Sequence, residues 1–137
     1  MMQLYFLCTG NSCRSQIAEG FAKKYAPSGW IIKSAGVEQH GLNKIAVSVM
    51  SENGIDISSN TSDLIDNDYL QSSDYVITLC GDAKDKCPMT PSSVKKVHWP
   101  LNDPAQANGT NEEILNIFRS TRDDIDALVY NFINKIK

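Results

Sequence analysis

Gln3-Leu4-Tyr5-Phe6-Leu7-Cys8-Thr9-Gly10-Asn11-Ser12-Cys13-Arg14-Ser15 is the stretch on which the fold turns. The continuous apolar run Gln3–Cys8 predicts a strand covered on both faces. Beyond the loop, Ile17, Ala18, Phe21, Ala22 and Tyr25 form the apolar stripe of a helix that ends before Pro27 and Gly29. Outward from this unit the alternation continues. Trp30–Ser34 predicts a second strand. A helix then buries Ile45, Ala46, Val49 and Met50 and stops at Asn53-Gly54, a suitable left-handed cap. Asp74–Cys80 predicts a third strand and Val94–Trp99 a fourth. Thr110 and Glu113 stand in capping-box spacing before a last helix. It carries Ile114, Ile117, Phe118, Ile125, Leu128, Val129, Phe132 and Ile136 toward the core. Strand–helix alternation of this kind predicts an α/β protein of three layers, a four-stranded parallel sheet with helices on both faces. No repeat or linker divides the chain, so residues 1–137 are expected to form one domain.

The 137 residues carry 13 basic and 16 acidic side chains, a net charge of −3, with 42 % hydrophobic and 21 % charged residues. That composition is of the globular class and argues against disorder. Residues 1–68 hold five basic against seven acidic side chains and residues 69–137 eight against nine. Neither half has the basic field of a nucleic-acid binder. No apolar run approaches the roughly 20 residues that span a bilayer, and residues 4–8 are too few for a secretory leader. A cytoplasmic monomer with no membrane or nucleic-acid partner is the expectation.

Four cysteines are the unusual feature. Cys8 and Cys13 form one close pair, Cys80 and Cys87 another. A domain of this size needs no disulfide framework, so reactive thiols or metal ligands are the alternatives. The spacings C-x4-C and C-x6-C differ from the two-residue gaps of structural zinc sites.

Ligands of parallel α/β sheets bind beyond the carboxyl ends of the strands. Cys8 ends the first strand, Cys80 the third, and Asp103 follows the fourth, which places all three at one edge. Between strand and helix, Thr9, Gly10, Asn11, Ser12 and Cys13 form a loop suited to an oxyanion. Gly10 adopts positive φ freely and Asn11 tolerates it. Successive backbone N–H groups of such a loop form an anion nest, and the helix N-terminus adds its dipole. Arg14 offers a planar fork to two oxygens of a tetrahedral anion. The same fields favour the thiolate of Cys8, to which Ser15 is placed to donate. Cys13 is read as a small packing residue of the loop.

The C-x5-R-S loop near the N-terminus resembles that of the low-molecular-weight tyrosine phosphatase superfamily. Over nearly its full length the chain resembles the thioredoxin-coupled arsenate reductases of that superfamily. The stretches that carry the likeness are C-T-G-N-S-C-R-S-Q-I-A-E-G (8–20), S-A-G-V-E-Q-H-G (34–41), D-I-S-S-N-T-S-D-L-I (56–65), V-I-T-L-C-G-D-A-K-D-K-C-P (76–88) and V-K-K-V-H-W-P-L-N-D-P (94–104). The resemblance implies a phosphatase-like fold, Cys8 as nucleophile and Asp103 as general acid. It further implies a relay in which a Cys8–Cys80 disulfide gives way to Cys80–Cys87, which thioredoxin reduces. Arsenate is the implied substrate and arsenic detoxification the implied purpose. The chemistry is consistent: two thiols supply two electrons by becoming a disulfide, and a third moves it to an outside reductant. The polar segment 81–86 suits a stretch that must rearrange to let two cysteines meet.

The resemblance also implies oxygen donors to potassium at Asn11, Glu19, Ser34 and Asp63, with no tightly bound cofactor. Oxygen ligands suit a hard cation. His40, before Gly41, and His98, beside Trp99, are read as a loop residue and a packing or capping residue. Ala105 stands where the phosphatases carry an aromatic that holds a phosphotyrosyl ring. Pro100-Leu101-Asn102 departs from the reductases' commoner Gly-Phe-Asp. A phosphatase of phosphotyrosine or small phosphoesters and a redox-sensing oxyanion-binding module are the competing readings. Cys80 and Cys87 separate the reductase from the phosphatase, since hydrolysis has no use for them.

Overall fold

The computed structural model describes residues 2–81 and 85–137. Strands β1 (Gln3–Cys8), β2 (Ile31–Gly36), β3 (Tyr75–Thr78) and β4 (Lys95–His98) form one parallel sheet in the order β2-β1-β3-β4. Helices α1 (Arg14–Tyr25), α2 (Lys44–Glu52), α3 (Asn67–Ser72) and α4 (Asn111–Ile136) join them, with a 3-10 turn over Pro104–Gln106.

The pleat of β1 explains its unbroken apolar sequence. Successive side chains of a strand point to opposite faces. Leu4 and Phe6 enter one core with Ile17, Phe21, Phe118, Ile125 and Ile133. Tyr5 and Leu7 enter a second, smaller one with Ala35, Leu70, Val76 and Val94. Helices α1, α2 and α4 cover the first face, and α3 lies over the second. Full burial of a Leu or Phe side chain is worth about 1.5–3 kcal/mol, and β1 buries its share on both sides.

Local capping follows the sequence closely. Asn43 accepts from the N–H of Ile45 and Ala46 at the start of α2, and Gly54 takes φ +75° just beyond its end. Thr110 and Glu113 form the reciprocal capping box of α4. Helix α3 was not anticipated. Its six residues carry a single buried apolar side chain, Leu70, and Asp66 caps it through the N–H of Asp68 and Tyr69.

The strand order sets the position of the site. From β1 the chain crosses over to β2 on one side, and the later crossover places β3 on the other. The crevice where the two directions part lies at the carboxyl end of β1, which is where such sheets hold ligands. Cys8 ends that strand, opposite Gly36 of β2.

Candidate active site

The loop from Cys8 to Arg14 is shaped from outside. The carbonyl of Thr9 accepts from the N–H of Glu38 at 2.8 Å, that of Gly10 from His40 at 3.0 Å, and that of Ser12 from Asn43 at 3.2 Å. A peptide N–H points opposite its C=O, so the N–H groups of Gly10, Asn11 and Cys13 turn away from these partners. Asn11 takes the left-handed conformation at φ 48°. Gly10 does not need positive φ; it is required for space, because a Cβ there would collide with the ring of His40. Gly36 likewise lets the backbones of Thr9 and Asn11 pass, each within 2.7 Å of where its Cβ would stand.

Buried polar side chains fix the loop from beneath. Asn11 donates through Nδ2 to Ser15 Oγ at 2.8 Å and to Ser34 Oγ at 3.0 Å. Its Oδ1 accepts from Asp63 N at 2.8 Å and Gln16 Nε2 at 3.1 Å. Ser15 Oγ lies 2.9 Å from Cys8 Sγ. A hydroxyl that already accepts from an amide keeps its own hydrogen available to the sulfur. Gln16 adds a bond to the carbonyl of Thr61 and ties the loop to residues 60–63.

Cys8, Gly10, Arg14, His40, Asp103 and Ala105 are among the residues lining a cavity of about 230 Å³. Cys8, Arg14 and Asp103 are thus brought together as expected. The Asp103 carboxylate stands 3.8 Å from Arg14 Nη2 and caps the 3-10 turn through Ala105 N at 3.0 Å. Cys13 packs into the main core and its thiol is pushed up to about 12, by burial first and then by the charge of Asp103. It is held as a thiol. Burial works against the charge of Arg14, but its hydrogen bonds to Asp85 and the facing charges of Cys8 and Asp103 outweigh it.

Arg14 is already engaged. Its Nη1 and Nη2 each donate to a separate oxygen of Asp85 at 2.7 Å, a bidentate ion pair, and Nη1 also donates to the carbonyl of Leu101 at 2.9 Å. Thr9 Oγ1 donates to Asp85 Oδ1 at 2.7 Å and Gly81 N to Asp85 Oδ2 at 2.9 Å. Lys86 N donates to Thr9 Oγ1 at 3.0 Å, and the Lys86 ammonium pairs with Glu38. The sequence signalled none of these partners. Asp85 is 71 residues from Arg14, and only an acidic side chain two places before a cysteine marks it.

Cys80 and Cys87 form a disulfide with Cα atoms 5.7 Å apart, while Cys8 and Cys13 are free. Cys80 is buried and Cys87 exposed. Residues 82–84 of the segment expected to rearrange lie outside the described residues. His98 is exposed rather than packed. Its Nδ1 lies 2.6 Å from Thr78 Oγ1, and its ring stands with both sulfurs of the disulfide, the three atoms within 4.8 Å of one another. Joined in a disulfide, the two sulfurs are not thiolate ligands.

The four oxygen donors expected for potassium divide. Glu19, Ser34 and Asp63 line one cavity of about 320 Å³ together with Asn60 and Thr61. Ser34 donates to Glu19 Oε1, and Lys23 pairs with Glu19 Oε2. Asn11 reaches this set through Ser34, with its carbonyl oxygen occupied by two N–H donors.

Comparison with known proteins agrees with this geometry. Residues 3–137 match the family described as low molecular weight phosphotyrosine protein phosphatase. The chain is 61 % identical to the arsenate reductase of Bacillus subtilis strain 168 over 122 residues, 89 % of this chain and 88 % of the relative. An arsenate reductase solved in its phosphate-binding state superposes with a TM-score of 0.82 at 37 % identity, each chain covered in full. The thioredoxin-dependent arsenate reductase of Corynebacterium glutamicum gives 0.71 at 29 % identity, covering all of this chain and 64 % of that one.

Proposed function

This chain belongs to the low molecular weight phosphotyrosine protein phosphatase family, and within it we propose that the protein reduces arsenate to arsenite through three cysteines recharged by thioredoxin. The observation that carries the reading is the Cys80–Cys87 disulfide beside an anion loop whose own cysteine is free. A hydrolase needs one thiolate and a water; a second redox pair has meaning only if electrons move. Relatives named arsenate reductase at 61 % identity support the substrate, and the Corynebacterium enzyme supports the reductant.

The residues divide the work as follows. Arsenate sits on the N–H groups of Thr9, Gly10, Asn11, Ser12 and Cys13 and on the fork of Arg14. Cys8, whose sulfur faces the Ser15 hydroxyl at 2.9 Å, attacks As(V) as thiolate, and Asp103 gives a proton to the departing hydroxide. Cys80 then attacks Cys8 Sγ. The sulfur–arsenic electron pair moves to arsenic, arsenite leaves as As(III), and Cys8–Cys80 is the two-electron product. Cys87 attacks Cys80, the electron pair returns to Cys8 as thiolate, and Cys80–Cys87 remains with its Cys87 end exposed. Thioredoxin's dithiol reduces it by exchange at exposed Cys87. Glu19, Ser34 and Asp63 would hold potassium, whose charge would brace the loop from behind through Ser34 and Asn11. Oxygen donors fit a hard cation. Residues 1–137 act as one domain, as a cytoplasmic monomer.

The test is arsenate-dependent NADPH oxidation coupled through thioredoxin and its reductase. Wild type turns over, whereas Cys80→Ser and Cys87→Ser release at most one arsenite per chain. Sustained turnover by either variant overturns the relay. Strong phosphoester hydrolysis with no arsenate turnover assigns the chain to the phosphatases instead.

A further inference from the structure

The relay brings the third cysteine to the second only after the oxyanion has been reduced, and nothing in the thiols themselves enforces that order. We propose that Asp85 enforces it: its carboxylate replaces the departed oxyanion on Arg14 and thereby delivers Cys87 to Cys80. The inference rests on the three-cysteine reading above and assigns a positioning residue within it.

The Asp85 side chain is only 6 % exposed, and among the described residues donors from Arg14, Thr9 and Gly81 converge on it. Arg14 Nη1 and Nη2 bind one oxygen each at 2.7 Å, Thr9 Oγ1 binds at 2.7 Å and Gly81 N at 2.9 Å. A planar carboxylate filling a guanidinium fork presents to it what two oxygens of a tetrahedral anion would. The same two N–H groups cannot serve both. Asp85 and a bound oxyanion on Arg14 are therefore mutually exclusive.

The carboxylate also clamps both flanks of the disulfide. Gly81, whose N–H it accepts, follows Cys80, and Asp85 itself stands two residues before Cys87. Backbone contact tightens the clamp. Lys86 N donates to Thr9 Oγ1, and Gly81 approaches Leu101 N so closely that a Cβ would stand 2.6 Å from it. Cysteines bridge only when their Cα atoms come within about 7 Å; here they stand at 5.7 Å. While an oxyanion or its arsenic adduct holds Arg14, this clamp is open. When arsenite leaves, Asp85 closes on the vacated fork. Cys87, exposed and losing its proton to water, then attacks Cys80 Sγ, and the Cys8–Cys80 pair is spent as Cys8 thiolate. After thioredoxin restores both thiols, the next oxyanion displaces Asp85.

Inorganic phosphate serves as the probe. Charge-assisted bonds of this number make oxidised wild type bind phosphate roughly 10- to 100-fold more weakly than reduced wild type. Oxidised Asp85→Asn recovers the affinity of the reduced protein. In a single turnover without thioredoxin, quenched by acid and mapped for disulfides, Asp85→Asn accumulates Cys8–Cys80 and passes it to Cys87 at least roughly tenfold more slowly than wild type. Added phosphate slows the same transfer in wild type and leaves it unchanged in Asp85→Asn. Equal phosphate affinity of oxidised and reduced wild type overturns the proposal, as does a wild-type transfer rate indifferent to saturating phosphate; both need no variant to fold. Failure of the relay itself reads differently, as wild type that forms neither disulfide after arsenate.

Discussion

Replacing Ser15 by Ala removes one hydroxyl from beneath the nucleophile and little else. Ser15 Oγ stands 2.9 Å from Cys8 Sγ and accepts from Asn11 Nδ2 at 2.8 Å, so its hydrogen is available to the sulfur. A hydrogen bond to the charged sulfur of the attacking state is worth about 1.5–3 kcal/mol, so its loss slows attack roughly 10- to 100-fold. Fold stability suffers less, because Asn11 Nδ2 keeps Ser34 at 3.0 Å as a second acceptor. The loss there is about 1 kcal/mol. Oxidised protein gives a clean assay: Cys80 and Cys87 are joined, and Cys13, pushed up to about 12, stays a thiol near neutral pH. Iodoacetamide labelling then reports Cys8 alone. Ser15→Ala should label at least roughly tenfold more slowly, and arsenite release in a single turnover should slow in proportion. Wild-type labelling by the variant would refute the hydrogen bond as the support of the thiolate. Slow labelling with undiminished arsenite release would refute attack by that thiolate as the limiting step.

Asp103→Asn keeps an oxygen to cap Ala105 N but loses the proton, so the first arsenite released per chain should form roughly 100- to 10,000-fold more slowly; an undiminished rate removes Asp103 from the chemistry. Cys13 ties stability to alkaline pH: its folded value, about 12, lies above the ordinary 9.0, so the unfolded chain gives up this proton first. Its contribution is complete below pH 9.0 and fades as pH rises toward about 12. Cys13→Ala should therefore lose stability less steeply than wild type over that window in urea titrations, and parallel curves would contradict the burial. Potassium should raise the melting temperature of wild type relative to sodium and leave Glu19→Gln unmoved; identical melting in both salts would dismiss the cation.

What could be read along the chain was whatever neighbours decide. The apolar run of β1, the stripe of α1, the Thr110–Glu113 box and the stop at Gly54 depend on residues a few places apart, and all stand where they were expected. Helix α3 escaped because six residues with one buried side chain make no stripe. For His98 packing does not hold, for a related reason. Strand β4 is the sheet's edge, so a side chain of its end need not be packed, and the imidazole stands exposed beside the disulfide. Most of the site belonged to a recognisable loop, but Gly10 was read for its freedom of φ when it is needed for the room it leaves His40. Asp85 was invisible because its meaning lies in Arg14, and no local rule joins two residues 71 apart.

The weak net charge of −3 is easily taken as a poor foundation for capturing an oxyanion. A basic surface would attract anions of every kind and hold them by a field that salt screens within about 10 Å. Here the attraction is concentrated in one guanidinium that is 2 % exposed, beside a loop anchored by its outward carbonyls. Such a site discriminates by geometry. It also carries a liability, because a buried cation left without a partner is costly, several kcal/mol even after relaxation. Once the product leaves, some anion must take its place on Arg14. A carboxylate of the chain itself is the partner that is always present, and tying it to the segment that ends in Cys87 turns that electrostatic necessity into the order of the sulfur transfers.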